Sequence, residues 1–217
     1  LIAQRSTSAV NNTLSGPNYA TLDRWLTWAG TASRFSVQQV ADAPSGFKYS
    51  LKVLSLGANA DEGYQAIGQR IESANITQLS LGTAYAQPFT LSFWVRSSLT
   101  GTFTGYIHGV SSFQPSYVYT YTISVADTWE KKVINVPAAT IGSGKFGSGG
   151  AEAGLEIGFT LSGNSYKTVH QFNMASQAAS TDFGDSSASN IFLAAAFGSS
   201  TRMVAHLAFI LNVNTHT

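Results

Sequence analysis

The chain has 217 residues, no cysteine and a net charge of +1, with only 11% of its residues charged. Without thiols there is no disulfide and no thiolate metal site. Without a basic excess there is no raw material for nucleic-acid binding by counterion release. The length suits one domain spanning 1–217, able to bury roughly 70% of its unfolded surface with no covalent staple. No stretch reaches the run of about 18 apolar residues that a membrane span needs, so no membrane insertion is expected. The opening residues Leu1-Ile2-Ala3-Gln4-Arg5 have neither the apolar core of a secretory signal nor an initiator Met. The chain therefore reads as processed, or as starting within a longer one.

In chain order the pattern is alternation with period two, the signature of half-buried strands. Strand 34–40 sets Phe35 and Val37 against Ser36 and Gln38, and strand 49–56 places Tyr49, Leu51 and Val53 on one face. A shorter, more polar strand covers 66–72. A helix of one or two turns is expected over 76–81. Strand 89–96 puts Phe89, Leu91, Phe93 and Val95 on one face and Thr90, Ser92, Trp94 and Arg96 on the other. Strand 102–108 alternates Phe103, Gly105 and Ile107 with Thr104, Tyr106 and His108. Strand 117–124 carries the tyrosine ladder Tyr117, Tyr119 and Tyr121, which could be a solvent platform or core with its hydroxyls at the rim; Ile123 continues the same face and favours the core. Strands follow at 129–136 and at 154–161, where Leu155, Ile157, Phe159 and Leu161 oppose Glu156, Gly158 and Thr160. Strands 190–197 and 203–213 close the chain. The glycine-rich 142–150 lies between strands with no helix behind it and no Gly-Lys-Ser/Thr end, so it reads as a flexible linker rather than a phosphate loop. About ten short strands with tight loops predict an all-β fold, an antiparallel β-sandwich of jelly-roll type.

Four segments together resemble a family of bacteriophage virion proteins. They are Ile2-Ala3-Gln4-Arg5-Ser6-Thr7-Ser8; Tyr19-Ala20-Thr21-Leu22-Asp23-Arg24-Trp25; the stretch from Val37-Gln38-Gln39 through Asp42-Ala43-Pro44-Ser45-Gly46-Phe47 to Tyr49-Ser50-Leu51-Lys52-Val53; and the 89–98 strand with Trp129-Glu130-Lys131-Lys132. The resemblance covers residue 2 to about residue 161. It implies a carbohydrate-binding-like jelly roll of the kind found in tail fibres, a virion location, other virion subunits as partners and assembly as a homo-oligomer, a trimer by analogy with fibres. The C-terminal part, about 194–217, departs from the family pattern. There the apolar Val204-Ala205-His206-Leu207-Ala208-Phe209-Ile210-Leu211 reads as the last core strand or as a segment covered by a neighbouring subunit.

No catalytic constellation is legible. A glycosidase needs two carboxylates across a cleft, yet Asp61 and Glu62 are adjacent, and Asp182 and Asp185 share a polar loop. No nucleophile elbow follows a strand. His108, His170, His206 and His216 are scattered, without metal-ligand spacing. Asp182 and Asp185 could contribute to a calcium site, but a solvated loop with Asx turns accounts for them. No metal and no cofactor are expected. Sugars bind on aromatic faces while their hydroxyls seek polar side chains. Trp28, Tyr64, Tyr106 and Phe113 are the aromatics that core periodicity explains least, and Gln114 beside Phe113 could bond a hydroxyl. Together with loops at one end of the sandwich they form the expected contact with a cell-surface glycan. Trp25 is expected to be buried, with Arg24 paired to a nearby acid, and Trp94 to face outward. The expected function is thus a non-enzymatic virion protein, a fibre or surface-decoration domain. The alternatives are a purely structural virion subunit without a sugar site and, third, a polysaccharide hydrolase.

Overall fold

A computed structural model of the chain describes residues 3–12, 18–19, 22–30, 32–56, 65–110, 116–137, 146, 149–162 and 204–210, with the backbone alone for 116, 162 and 204–210. Among the described residues there are eleven strands: β1 (Val10–Asn11), β2 (Trp25–Ala29), β3 (Phe35–Val40), β4 (Ser50–Ser55), β5 (Gln65–Glu72), β6 (Phe89–Ser97), β7 (Gly101–Gly109), β8 (Ser116–Ile123), β9 (Glu130–Val136), β10 (Ala153–Ser162) and β11 (Val204–Ile210). They form a six-stranded sheet in the order β1-β3-β4-β11-β6-β9 and a five-stranded sheet in the order β2-β5-β10-β7-β8. All neighbouring strands are antiparallel. The chain is therefore an all-β, antiparallel sandwich.

The predicted inner faces meet. Leu51, Val53, Leu91, Phe93 and Val95 of the six-stranded sheet and Ile67, Phe103, Ile107, Leu155, Ile157 and Phe159 of the five-stranded sheet are all buried in one core. The tyrosine ladder points inward as its Ile123 continuation requires: Tyr119 is 3% and Tyr121 8% exposed. Burial pushes both phenols above their ordinary value; for Tyr119 the neighbouring Tyr121 and Tyr106 add to it. Trp25 is buried as expected, its ring 6.5 Å from that of Phe159. Arg24 is paired to an acid as expected, Glu72 at 2.7 Å. Trp94 faces outward and is half-buried, in register with Lys131 and Ala208.

Four local features refine the expectations. Strands β1 and β2 were not predicted. The short helix is a 3-10 helix over Ser73–Leu79 that buries Ile76 and Leu79. Of the glycine-rich 142–150, only 146, 149 and 150 are described; there Phe146 is buried and the Gly149 N–H donates to Ser73 Oγ at 2.7 Å, so these described positions are held against the sandwich. The apolar C-terminal strand β11 lies between β4 and β6, in the interior of its sheet. Its backbone takes the last-strand alternative, paired on both sides within its own sheet rather than left for a neighbouring subunit to cover. Strand 190–197 lies outside the described residues, as do Asp61, Glu62, Asp182, Asp185, His170 and His216.

Where the chain crosses between sheets after β8, one carboxylate organises the turn. Glu130 Oε1 accepts the N–H groups of Ser124 and Val125 at 2.8 and 2.9 Å, and Lys132 Nζ donates to Oε2 at 2.6 Å. The lysine bond first, then these amides, hold the Glu130 carboxyl below its ordinary value of 4.5. A depressed carboxyl contributes stability that is present above its unfolded value and lost as pH falls through the folded one. Glu130→Gln is therefore expected to flatten the acid limb of the stability curve below pH 4.5 and leave its alkaline limb unchanged. Melting temperatures collected across acid pH check this.

Candidate functional site

The outer face of the five-stranded sheet departs from simple inside–outside alternation. Facing away from the core, Leu26, Ala66, Thr104, His108 and Glu156 are nonetheless buried. Register gives their neighbours within the sheet. On β10, Glu156 stands between Arg70 of β5 and His108 of β7, and Gly158 stands between Gly68 and Tyr106. Trp28 of β2 sits one row further on, opposite Ala66.

Glu156 is the hub. It is fully buried, and its carboxylate accepts from three strands. Trp28 Nε1 donates to Oε1 at 3.0 Å, Tyr106 Oη donates to the same oxygen at 2.9 Å, and Arg70 Nε donates to Oε2 at 2.9 Å. His108 Nε2 lies 3.8 Å from Oε1. The rings are held on their faces as well. The Arg70 guanidinium lies over the Trp28 ring, 5.7 Å from its centroid. The His108 and Tyr106 rings stack at 5.0 Å with 4° between their planes. A cation over an indole and two parallel rings are both favourable contacts.

Two glycines make room for this layer. A Cβ at Gly158 would come within 2.0 Å of Tyr106 Cζ, so the Tyr106 ring lies across the backbone where any other residue would put its side chain. At Gly68 a Cβ would meet the Ile157 carbonyl at 3.2 Å and Glu156 Oε1 at 3.4 Å. Trp28 and Tyr106 come from strands separated by β5 and β10 yet meet on one carboxylate oxygen. Both remain half-buried, as does Thr160 between them, and Thr120 beyond is exposed. The result is a rigid aromatic surface with a polar seam, fixed by bonds to a group that never reaches solvent.

Of the five residues singled out in the sequence, Trp28 and Tyr106 are brought together here; Tyr64, Phe113 and Gln114 lie outside the described residues. The two that meet do so on the face of a sheet, not among loops at one end. Glu156, Arg70 and His108 were not foreseen as a group. The available signal was a single charge in the middle of an apolar strand, Gly154-Leu155-Glu156-Ile157-Gly158, flanked by glycines. Among the described residues no group of three or more His, Cys, Asp or Glu side chains could hold a metal, and no helix is long and apolar enough to cross a membrane.

No family model and no curated protein matches the chain. Among solved structures it is similar to the family 11 carbohydrate-binding module of cellulosomal cellulase Lic26A-Cel5E of Clostridium thermocellum, with 14% identity and a TM-score of 0.40 over 94% of this chain and 100% of that one. It is similar to a CBM4 chain with 11% identity and a TM-score of 0.45, over 88% of this chain and 96% of that one. It is also similar to the enzymatically active domain of tailspike protein 4 of bacteriophage CBA120, with 14% identity and a TM-score of 0.42, over 87% of this chain but 20% of that one.

Proposed function

We propose that this chain is a non-catalytic glycan-binding protein of a bacteriophage virion, a single jelly-roll domain over 1–217 that binds saccharides on the outer face of its five-stranded sheet. The observation that carries this is the convergence of Trp28 and Tyr106 on the buried Glu156 carboxylate. Aromatic rings whose orientation is already fixed lose little entropy on binding, which is where a weak sugar contact gains most. The virion assignment rests on the resemblance of the four segments quoted above. Several copies on one particle, assembled with other virion subunits, would multiply a modest affinity.

The same geometry argues against hydrolysis at this face. A glycosidase presents two carboxyl groups to the scissile bond. Here Glu156 is buried with both oxygens engaged, and Glu72 is bonded to Arg24 and Asn75. These contacts tie both carboxylates to neighbouring side chains and hold the sheet surface in place.

The test is binding to host-cell surface polysaccharide by the parent and by Trp28→Ala, Tyr106→Ala and Tyr106→Phe. Each alanine variant is expected to lose about tenfold in affinity, about 1.4 kcal/mol, at unchanged circular dichroism. Tyr106→Phe keeps the ring but loses its bond to Glu156, and is expected to fall between the parent and Tyr106→Ala. Folded alanine variants that bind like the parent would remove this face as the site. A parent that binds no glycan, while its neighbours in the particle cover this face, would establish the structural-subunit alternative.

A further inference from the structure

The charge of the ligand follows from how charges pair on this face. The described residues place four charged side chains on the outer face of the five-stranded sheet. Arg24 is joined to Glu72 at 2.7 Å, and Arg70 to Glu156 at 2.9 Å. Strands β7 and β8, which complete the face, carry no Lys, Arg, Asp or Glu. His108 also faces the second pair, 3.8 Å from Glu156 Oε1 and stacked on Tyr106.

Resting on the glycan reading, we infer that this face selects uncharged saccharide chains and rejects those bearing carboxylate or sulfate groups. An anionic sugar gives up strong hydration on entering a partly buried surface, and an available cation is the strongest compensation for that loss. Among the described residues the cation nearest the rings is Arg70, already neutralised by a carboxylate that is itself fully buried. A neutral sugar needs no such partner. Its C–H faces rest on the Trp28 and Tyr106 rings, and its hydroxyls can take the remaining guanidinium N–H donors of Arg70 and the Thr160 and Thr120 hydroxyls. Charge pairing thus acts as a filter, with aromatic contact supplying the attraction.

Affinity electrophoresis of the full chain at neutral pH distinguishes the outcomes, using gels that contain a neutral glucan, a neutral galactan, a uronate-rich polymer or a sulfated polymer. The parent is expected to be retarded by a neutral polymer, equally at about 0.01 M and about 1 M salt, and not by the acidic ones. Glu156→Gln keeps the shape of the hub but leaves Arg70 unpaired, and is expected to gain at least about tenfold in binding to acidic polymers, a gain that salt abolishes. Glu72→Gln frees Arg24, whose side chain is 61% exposed at the margin of the same face. It is expected to show the same gain more weakly, and it stands as the test should Glu156→Gln fail to fold. A parent that binds acidic polymers in a salt-dependent way, or folded variants with no gain, would overturn the inference. A parent that binds none of the polymers removes the glycan reading itself.

Discussion

Glu156→Ala is expected to unfold at markedly lower denaturant than the parent, by about 3–5 kcal/mol, whereas a double variant with Arg70→Leu and Glu156→Leu recovers most of that loss. The asymmetry follows from what each change leaves behind. The single variant strands the Arg70 guanidinium in a layer where its side chain is 20% exposed. It also strips the acceptor from Trp28 Nε1 and Tyr106 Oη, each bond being worth about 1 kcal/mol. The residual exposure of Arg70 places the expected loss toward the lower end of the range, because water screens part of the unpaired charge. The double variant removes both charges at once and fills their space with apolar side chains. Its glycan binding is nevertheless expected to stay poor, because nothing then fixes the two rings. Equilibrium denaturation of the three proteins, read beside binding, checks this. A single variant as stable as the parent would mean that Glu156 does not hold this layer together.

That split between stability and binding shows why the site was harder to read than the fold. Strands such as Phe89–Ser97 and Ala153–Ser162 announce themselves because a sheet with one buried face writes its geometry into neighbouring residues. Leu155, Ile157 and Phe159 need only each other's spacing to be recognised. Strand Trp25–Ala29 escaped for the opposite reason: all of its residues but Trp28 are buried, so the Trp-Leu-Thr-Trp-Ala run shows no polar alternate. Val10–Asn11 is too short to carry a pattern. The hub is a matter of register between distant strands. Glu156 meets Tyr106, Arg70 and Trp28 across 50, 86 and 128 residues, and no local spacing encodes those pairings. Trp28 and Tyr106 could be picked out singly, as aromatics without a core duty. That they answer to one carboxylate, over two glycines that clear the space, depends on the strand order β2-β5-β10-β7, which single-strand periodicity does not specify.

The largest loss from an uncharged substitution is expected at Phe93. Its side chain is 1% exposed, and from the six-stranded sheet it reaches across to the other. It meets Tyr121 edge-on at 5.1 Å and 85°, and Phe159 edge-on at 5.1 Å and 79°, with Tyr119 at 6.3 Å. Phe93 therefore joins three rings borne by two strands of the opposite sheet. Removing it forfeits the transfer energy of a whole ring and leaves a cavity between the sheets. The cavity cannot close easily, because Tyr119 is tied by its hydroxyl to the Gly158 carbonyl at 3.0 Å and Phe159 lies in a strand paired on both sides. Phe93→Ala is expected to cost about 3–5 kcal/mol. For a chain of this size that is a fall of roughly 6–20 °C in melting temperature. Phe93→Leu fills part of the space and is expected to cost clearly less. The effect should also reach the outer face, since Gly158 carries the Tyr106 ring on one side and accepts the Tyr119 hydroxyl bond. A Phe93→Ala protein that melts like the parent would contradict the placement of this ring between the sheets. One that melts early while its tryptophan fluorescence stays unchanged below the transition would show that the outer layer tolerates a loosened core.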